Sequence, residues 1–90
     1  MTIFPCKSDR KVTVYPGQFI SVDLPTNMKQ IKYVSCTQSK AQYSWVGVRN
    51  ILVENDGSVK IRNDSRFPIT LSKYEHFANF SPCVDIPLMT

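Results

Sequence analysis

Apolar and polar side chains alternate along most of this chain in short runs, and a period of two predicts β-strands. Lys11-Val12-Thr13-Val14-Tyr15 alternates, is rich in β-branched residues and stops at Pro16-Gly17. The alternation resumes over Phe19-Ile20-Ser21-Val22-Asp23-Leu24, with Ile20, Val22 and Leu24 on one face. Pro16-Gly17 suits the central positions of a type II turn, where glycine accepts a positive φ. The two segments are therefore expected to be neighbours joined by a tight turn, and Pro25-Thr26-Asn27 ends the second. A third strand is expected over Ile31–Cys36, followed by a polar loop from Thr37 to Gln42. Tyr43–Val48 and Ile51-Leu52-Val53 continue as strand, broken at Arg49-Asn50. Asn55-Asp56-Gly57 is the strongest turn signal and predicts a primed hairpin turn.

Beyond that turn, strands are expected over Ser58–Asn63, Phe67–Leu71 and His76–Phe80. They are separated by the polar break Asp64-Ser65-Arg66 and a turn at Ser72-Lys73-Tyr74-Glu75. Pro68 sits near the start of its strand, where a missing donor is tolerated. The tail from Ser81 to Leu88 is punctuated by Pro82 and Pro87 and should be extended. No window shows helical periodicity, and no segment repeats. Seven or eight short, mainly antiparallel strands predict an all-β domain, a small sandwich or barrel.

Length narrows the picture. Ninety residues make one domain, expected as a core over about 11–82 with extended terminal segments at 1–10 and 83–90. Two-domain enzymes, Rossmann units and TIM barrels are excluded. With 42% hydrophobic and 20% charged residues, the chain is expected to fold rather than remain disordered. The longest apolar run is three residues, so no membrane-spanning helix or secretory leader core is expected, and no membrane partner.

Charge adds a second class of function. Residues 1–50 hold seven basic and two acidic side chains, whereas residues 51–90 hold four and five. This basic half permits weak, nonspecific attraction to nucleic acid. Lys29, Lys32 and Lys40 beside Tyr33 and Tyr43 are the candidate contacts of a single-strand binder, because tyrosine faces stack on unpaired bases. Trp45, Phe77 and Phe80 lie within apolar stretches and are expected in the core.

Little else suggests chemistry. Cys6, Cys36 and Cys83 are odd in number and far apart, so reduced, partly buried thiols in a reducing intracellular compartment are expected. No metal or other cofactor is expected, since zinc ligands normally come in closely spaced pairs. The one histidine, His76, has no nucleophile motif beside it, although Cys83 or Asp85 are the partners it would need. Asp23, Asp56, Asp64 and Asp85 fall at strand ends or turns, where aspartate caps its own backbone. Glycines at 17, 47 and 57 cannot build a phosphate-cradling loop. No catalytic residue emerges.

From Lys11 to Pro82 the order of segments resembles the dUTPase-like β domain of retroelement polyproteins, LTR retrotransposons and retrovirus-like elements among them. There it lies between the aspartic protease and the reverse transcriptase. The resemblance rests on "KVTVYPGQFISVDLP" and "WVGVRNILVENDGSVKIRNDSRFPITLSKYEHFANFSP". These pieces match a β-pair around a Pro-Gly turn, a strand ending in Asn, a Pro-Ile-x-Leu strand and a Lys-Gly-x-x-Ile-Ala hairpin. Tyr74 replaces the usual glycine of that last turn, and Phe77-Ala78 stands for Ile-Ala. The tyrosine hairpin, serine phosphate motif and glycine-rich arm of true dUTPases are not matched. The resemblance thus implies a noncatalytic module for protein contact or self-association, with a trimer among the assemblies it admits, in the cytoplasm or a virus-like particle. The competing expectation is the basic single-stranded nucleic-acid binder.

Overall fold

The computed structural model describes residues 3–83. It is all-β, and every strand pairing in it is antiparallel. The strands are β1 (Phe4–Lys7), β2 (Val12–Val14), β3 (Phe19–Asp23), β4 (Tyr33–Gln38), β5 (Val48–Leu52), β6 (Ser58–Arg62), β7 (Ile69–Leu71) and β8 (His76–Cys83). One sheet has the order β1-β8-β4-β5, and two short ladders join β2 to β7 and β3 to β6. Residues 3–10 are more than a terminal extension, since β1 pairs with β8 and buries Cys6 completely.

The turn at Pro16-Gly17 forms as expected. Gly17 has φ +83°, and the Gln18 N–H donates to the Tyr15 carbonyl at 2.9 Å. Yet β2 and β3 do not pair with each other, contrary to expectation. The whole segment from Val12 to Asp23 instead runs antiparallel to the returning segment from Ser58 to Leu71. The register differs on the two sides of the turn: Val12 faces Leu71, whereas Phe19 faces Arg62. Buried Asn63 spans the gap between the ladders. Its main chain donates to Gln18 O (2.8 Å) and accepts from Gly17 N (2.9 Å). Its side-chain amide donates to the Val14 and Phe67 carbonyls, both at 2.9 Å, and accepts from Ser65 N and Oγ. A turn sequence sets local direction only, and the partner is chosen by which residues can satisfy the freed backbone.

Two further expectations are corrected. Tyr43–Val48 is not a strand: Ala41–Tyr43 forms a 3-10 turn, and Val46 N–H closes on Tyr43 O at 2.8 Å. Tyr43, Trp45 and Val46 are all buried, so the winding plugs the core with three side chains where a strand would place alternate ones. Arg49 caps this turn from outside, with Nε and Nη2 donating to Val46 O (2.9 and 2.7 Å) and Nη2 also to Trp45 O (3.2 Å). Gly47, at φ +70°, redirects the chain into β5, which runs unbroken through Arg49-Asn50. The turn at Asn55-Asp56-Gly57 is also unprimed. Only Gly57 takes a positive φ (+82°), and its N–H donates to Glu54 O at 2.9 Å, a type I turn ending in a left-handed glycine.

The tail joins the sheet further than the prolines suggested. β8 continues through Pro82, which faces Val34. Ser39 N–H donates to Phe77 O, so the hydrogen-bonded pairs of β4 with β8 fall on odd residues. Proline 82 thus occupies a position where no donor to β4 is needed. The remainder of the expected extended tail, residues 84–90, lies outside the described residues.

One core is shared by all three sheets. Ile20, Val59 and Ile61 enter from the β3–β6 ladder, Val14 and Leu71 from β2–β7, and Val34, Cys36, Phe77 and Phe80 from the large sheet. The expected face of Ile20, Val22 and Leu24 turns inward, with Val22 the least buried of the three. Trp45 stacks on Phe77 with ring centroids 5.8 Å apart.

Candidate functional site

The residues proposed to bind a single strand are not brought together. Lys32 and Tyr33 open β4, and the Lys32 ammonium lies 5.7 Å from the Tyr33 ring centre. Lys40 follows the other end of β4, roughly 25 Å away at about 3.3 Å per residue. Lys29 sits in a third place: a Cβ added to Gly57 would meet its Cγ at 2.7 Å, so its aliphatic stem covers that glycine. Tyr43 is buried and offers no stacking face. Its hydroxyl donates to Glu75 Oε2 at 2.6 Å, while Glu75 Oε1 accepts from Ser72 N at 2.7 Å. The tyrosine hydrogen bond, followed by the Ser72 N–H, holds the Glu75 carboxyl below its usual range. The same bond to Glu75 raises Tyr43.

That carboxylate braces the turn at 72–75. Glu75 N–H donates to Ser72 O at 3.1 Å, and Tyr74 N–H donates to Ser8 O at 2.6 Å. Held this way, Tyr74 adopts φ +66°, the one non-glycine residue with positive φ among the described residues. Its side chain is 66% exposed, beside the Lys73 ammonium at 5.0 Å.

The possible reactive groups are separate. His76 Nε2 lies 2.8 Å from Asn79 Oδ1 and seven residues along β8 from Cys83, roughly 23 Å of extended chain. Asp85 lies outside the described residues. Asp56 caps its own turn as expected, accepting from Ser58 N (3.0 Å) and Oγ (2.6 Å), and these bonds lower its carboxyl. Asp64 instead faces Arg49 and Arg62, each at 3.4 Å, and Asp23 is exposed at the end of β3. Among the described residues, no three His, Cys, Asp or Glu side chains converge as metal ligands would. Cys6 and Cys36 are buried and Cys83 is half-buried. Burial pushes the Cys36 thiol up to about 11, with Arg49 opposing, and pushes Cys6 up further with help from Cys36. Among the described residues no helix is long and apolar enough to cross a membrane.

Two surface features escaped the sequence reading. A cleft of about 400 Å³ opens beside β1 and β3, lined by Phe4, Val12, Phe19 and Val22 together with Lys7 and Asp23. Large apolar side chains also stand in solvent, among them Val48 (75% exposed), Phe67 (70%) and Phe19 (58%). On the outer face of the large sheet, the row Tyr33, Leu52 and Cys83 lies next to the polar row Ser35, Asn50 and Ser81. Val48 and Leu52 share one face of β5 with Asn50, a face hidden by the expected break at Arg49-Asn50. No protein-family model matches the chain, and neither a curated protein nor a solved structure matches it significantly.

Proposed function

We propose that this chain is a noncatalytic β domain acting in protein–protein contact or assembly, akin to the dUTPase-like domain of retroelement polyproteins. The observation that carries the contact reading is the set of large apolar side chains held in solvent, Val48, Phe67 and Phe19 foremost. Ordered strands hold Val48 and Phe19 outward, where contact with a partner would take them out of water. Three features support the kinship. A Pro-Gly turn stands after the first expected strand, Asn63 directly follows β6 and bridges the two ladders, and Tyr74 takes a positive φ where the family has glycine. The buried thiols favour a reducing, intracellular setting.

The alternative, a single-stranded nucleic-acid binder, is tested by a salt series on RNA and single-stranded DNA. Scattered lysines give weak electrostatic binding, each neutralised phosphate contributing a log–log slope of about −0.7. Binding should vanish near physiological salt and be unchanged in Tyr33→Ala. Stacking on a dedicated surface contributes about 1–3 kcal/mol per base and resists salt. Persistent micromolar binding, lost tenfold in a folded Tyr33→Ala or Lys32→Ala/Lys40→Ala variant, overturns the contact reading. A pyrophosphate-release assay with dUTP should give no turnover.

A further inference from the structure

Among the described residues the large sheet has two open edges, β1 and β5, and they differ in kind. β1 carries Pro5, Lys7 and a register break between Cys6 and Lys7, three devices that discourage another strand from pairing. β5, Val48-Arg49-Asn50-Ile51-Leu52, has none of them. Its single charge, Arg49, is already engaged with the carbonyls of Trp45 and Val46 and with Asp64.

The hydrogen-bond phase identifies which groups β5 offers. Val53 N–H donates to Lys32 O (2.8 Å) and Gln38 N–H to Gly47 O (3.0 Å). In an antiparallel ladder the pairs alternate, so Arg49 and Ile51 turn their backbone groups toward β4. Val48, Asn50 and Leu52 turn theirs to the open edge, and the same three side chains are exposed.

We infer that β5 pairs antiparallel with β5 of a second copy of this chain, about a two-fold axis at Asn50. This register is self-complementary. Asn50 meets Asn50, Val48 meets the partner's Leu52, and every outward N–H finds an outward carbonyl. The apolar pairs cover the side chains that are 75% and 48% exposed, and no like charges come opposite each other. Two four-stranded sheets become one continuous sheet, an isologous and closed assembly. The inference rests on the contact reading above and names its partner.

Cysteine cross-linking in a Cys83→Ser background tests the register. Facing hydrogen-bonded residues have Cα atoms about 5.5 Å apart, within disulfide reach, so Asn50→Cys should oxidise to a covalent dimer. Val48→Cys should not, because its symmetry mate lies roughly 14 Å along the strand. In sedimentation, the 10.3 kDa wild type should run at twice its chain mass at high salt and dissociate on dilution. Val48→Lys and Leu52→Lys should remain folded by circular dichroism and be monomeric. A wild type monomeric throughout, or Val48→Cys linking as readily as Asn50→Cys, overturns strand pairing. Neither result touches the contact reading, which the salt series decides independently.

Discussion

Asn63 and Tyr74 are the two residues on which most backbone geometry depends. The Asn63 amide uses both its donors and both its acceptor sites, at zero exposure, where the two ladders change register. Asn63→Ala removes the buried partner of the Val14 carbonyl and the acceptor of the Ser65 N–H. Chemical denaturation should register a loss of about 3 kcal/mol. Asn63→Asp should do worse as pH rises, because a carboxylate would face the Val14 and Phe67 carbonyl oxygens. Tyr74 presents the opposite case. A left-handed conformation costs a side chain about 1 kcal/mol, tolerated here because Ser8 and Glu75 brace the turn. Tyr74→Gly should raise Tm by several degrees, whereas Tyr74→Ala, which keeps the strain and loses the ring over Lys73, should not. A lower Tm for the glycine variant would contradict the strain assignment.

At the scale of elements, what was legible depended on how local its cause was. The period-two pattern located β2, β3, β4, β6 and β7 nearly to their ends, because one buried face is written into adjacent residues. It failed over 43–48, where Tyr43 and Trp45 alternate like a strand but Val46 is buried as well. The deciding contacts come from Arg49 and from Glu75, which is 32 residues from Tyr43. The Glu75 partner lies outside any local window, and alternation alone does not mark Arg49, three residues from Val46, as a cap. The same distance explains the candidate site: Lys32 and Lys40 are close in sequence and far apart along β4, while Tyr43 was claimed by Glu75. That bond also makes a pH prediction. Glu75 is depressed on folding, so its contribution is present above its ordinary 4.5 and is lost as pH falls through the lower folded value. Glu75→Gln should cost about 1 kcal/mol near neutrality and flatten the acid limb of the stability curve. An unchanged acid limb would place that sensitivity elsewhere, with Asp56 the next group to examine.

For the molecule as a whole, the two buried thiols separate local from global opening. Cys6 lies on a four-residue edge strand held by β8 alone, whereas Cys36 lies on β4, paired on both sides. Fraying of β1 exposes Cys6 and leaves the rest of the sheet intact, while exposing Cys36 requires the core to come apart. In native-state labelling followed by mass spectrometry, Cys6 should react first, with a rate that hardly responds to denaturant. Cys36 should follow the free energy of global unfolding. Alkaline pH adds an independent check. The Cys36 thiol rises on folding from 9.0 to about 11, so the unfolded chain releases that proton first. Stability is then full below pH 9 and declines as pH climbs toward 11, by on the order of 2–3 kcal/mol for this group. Cys36→Ala should lose part of that alkaline decline while keeping the acid limb set by Glu75. Labelling of Cys36 as early as Cys6 would mean that β4 opens without the core, and that the four-stranded sheet is not one cooperative unit.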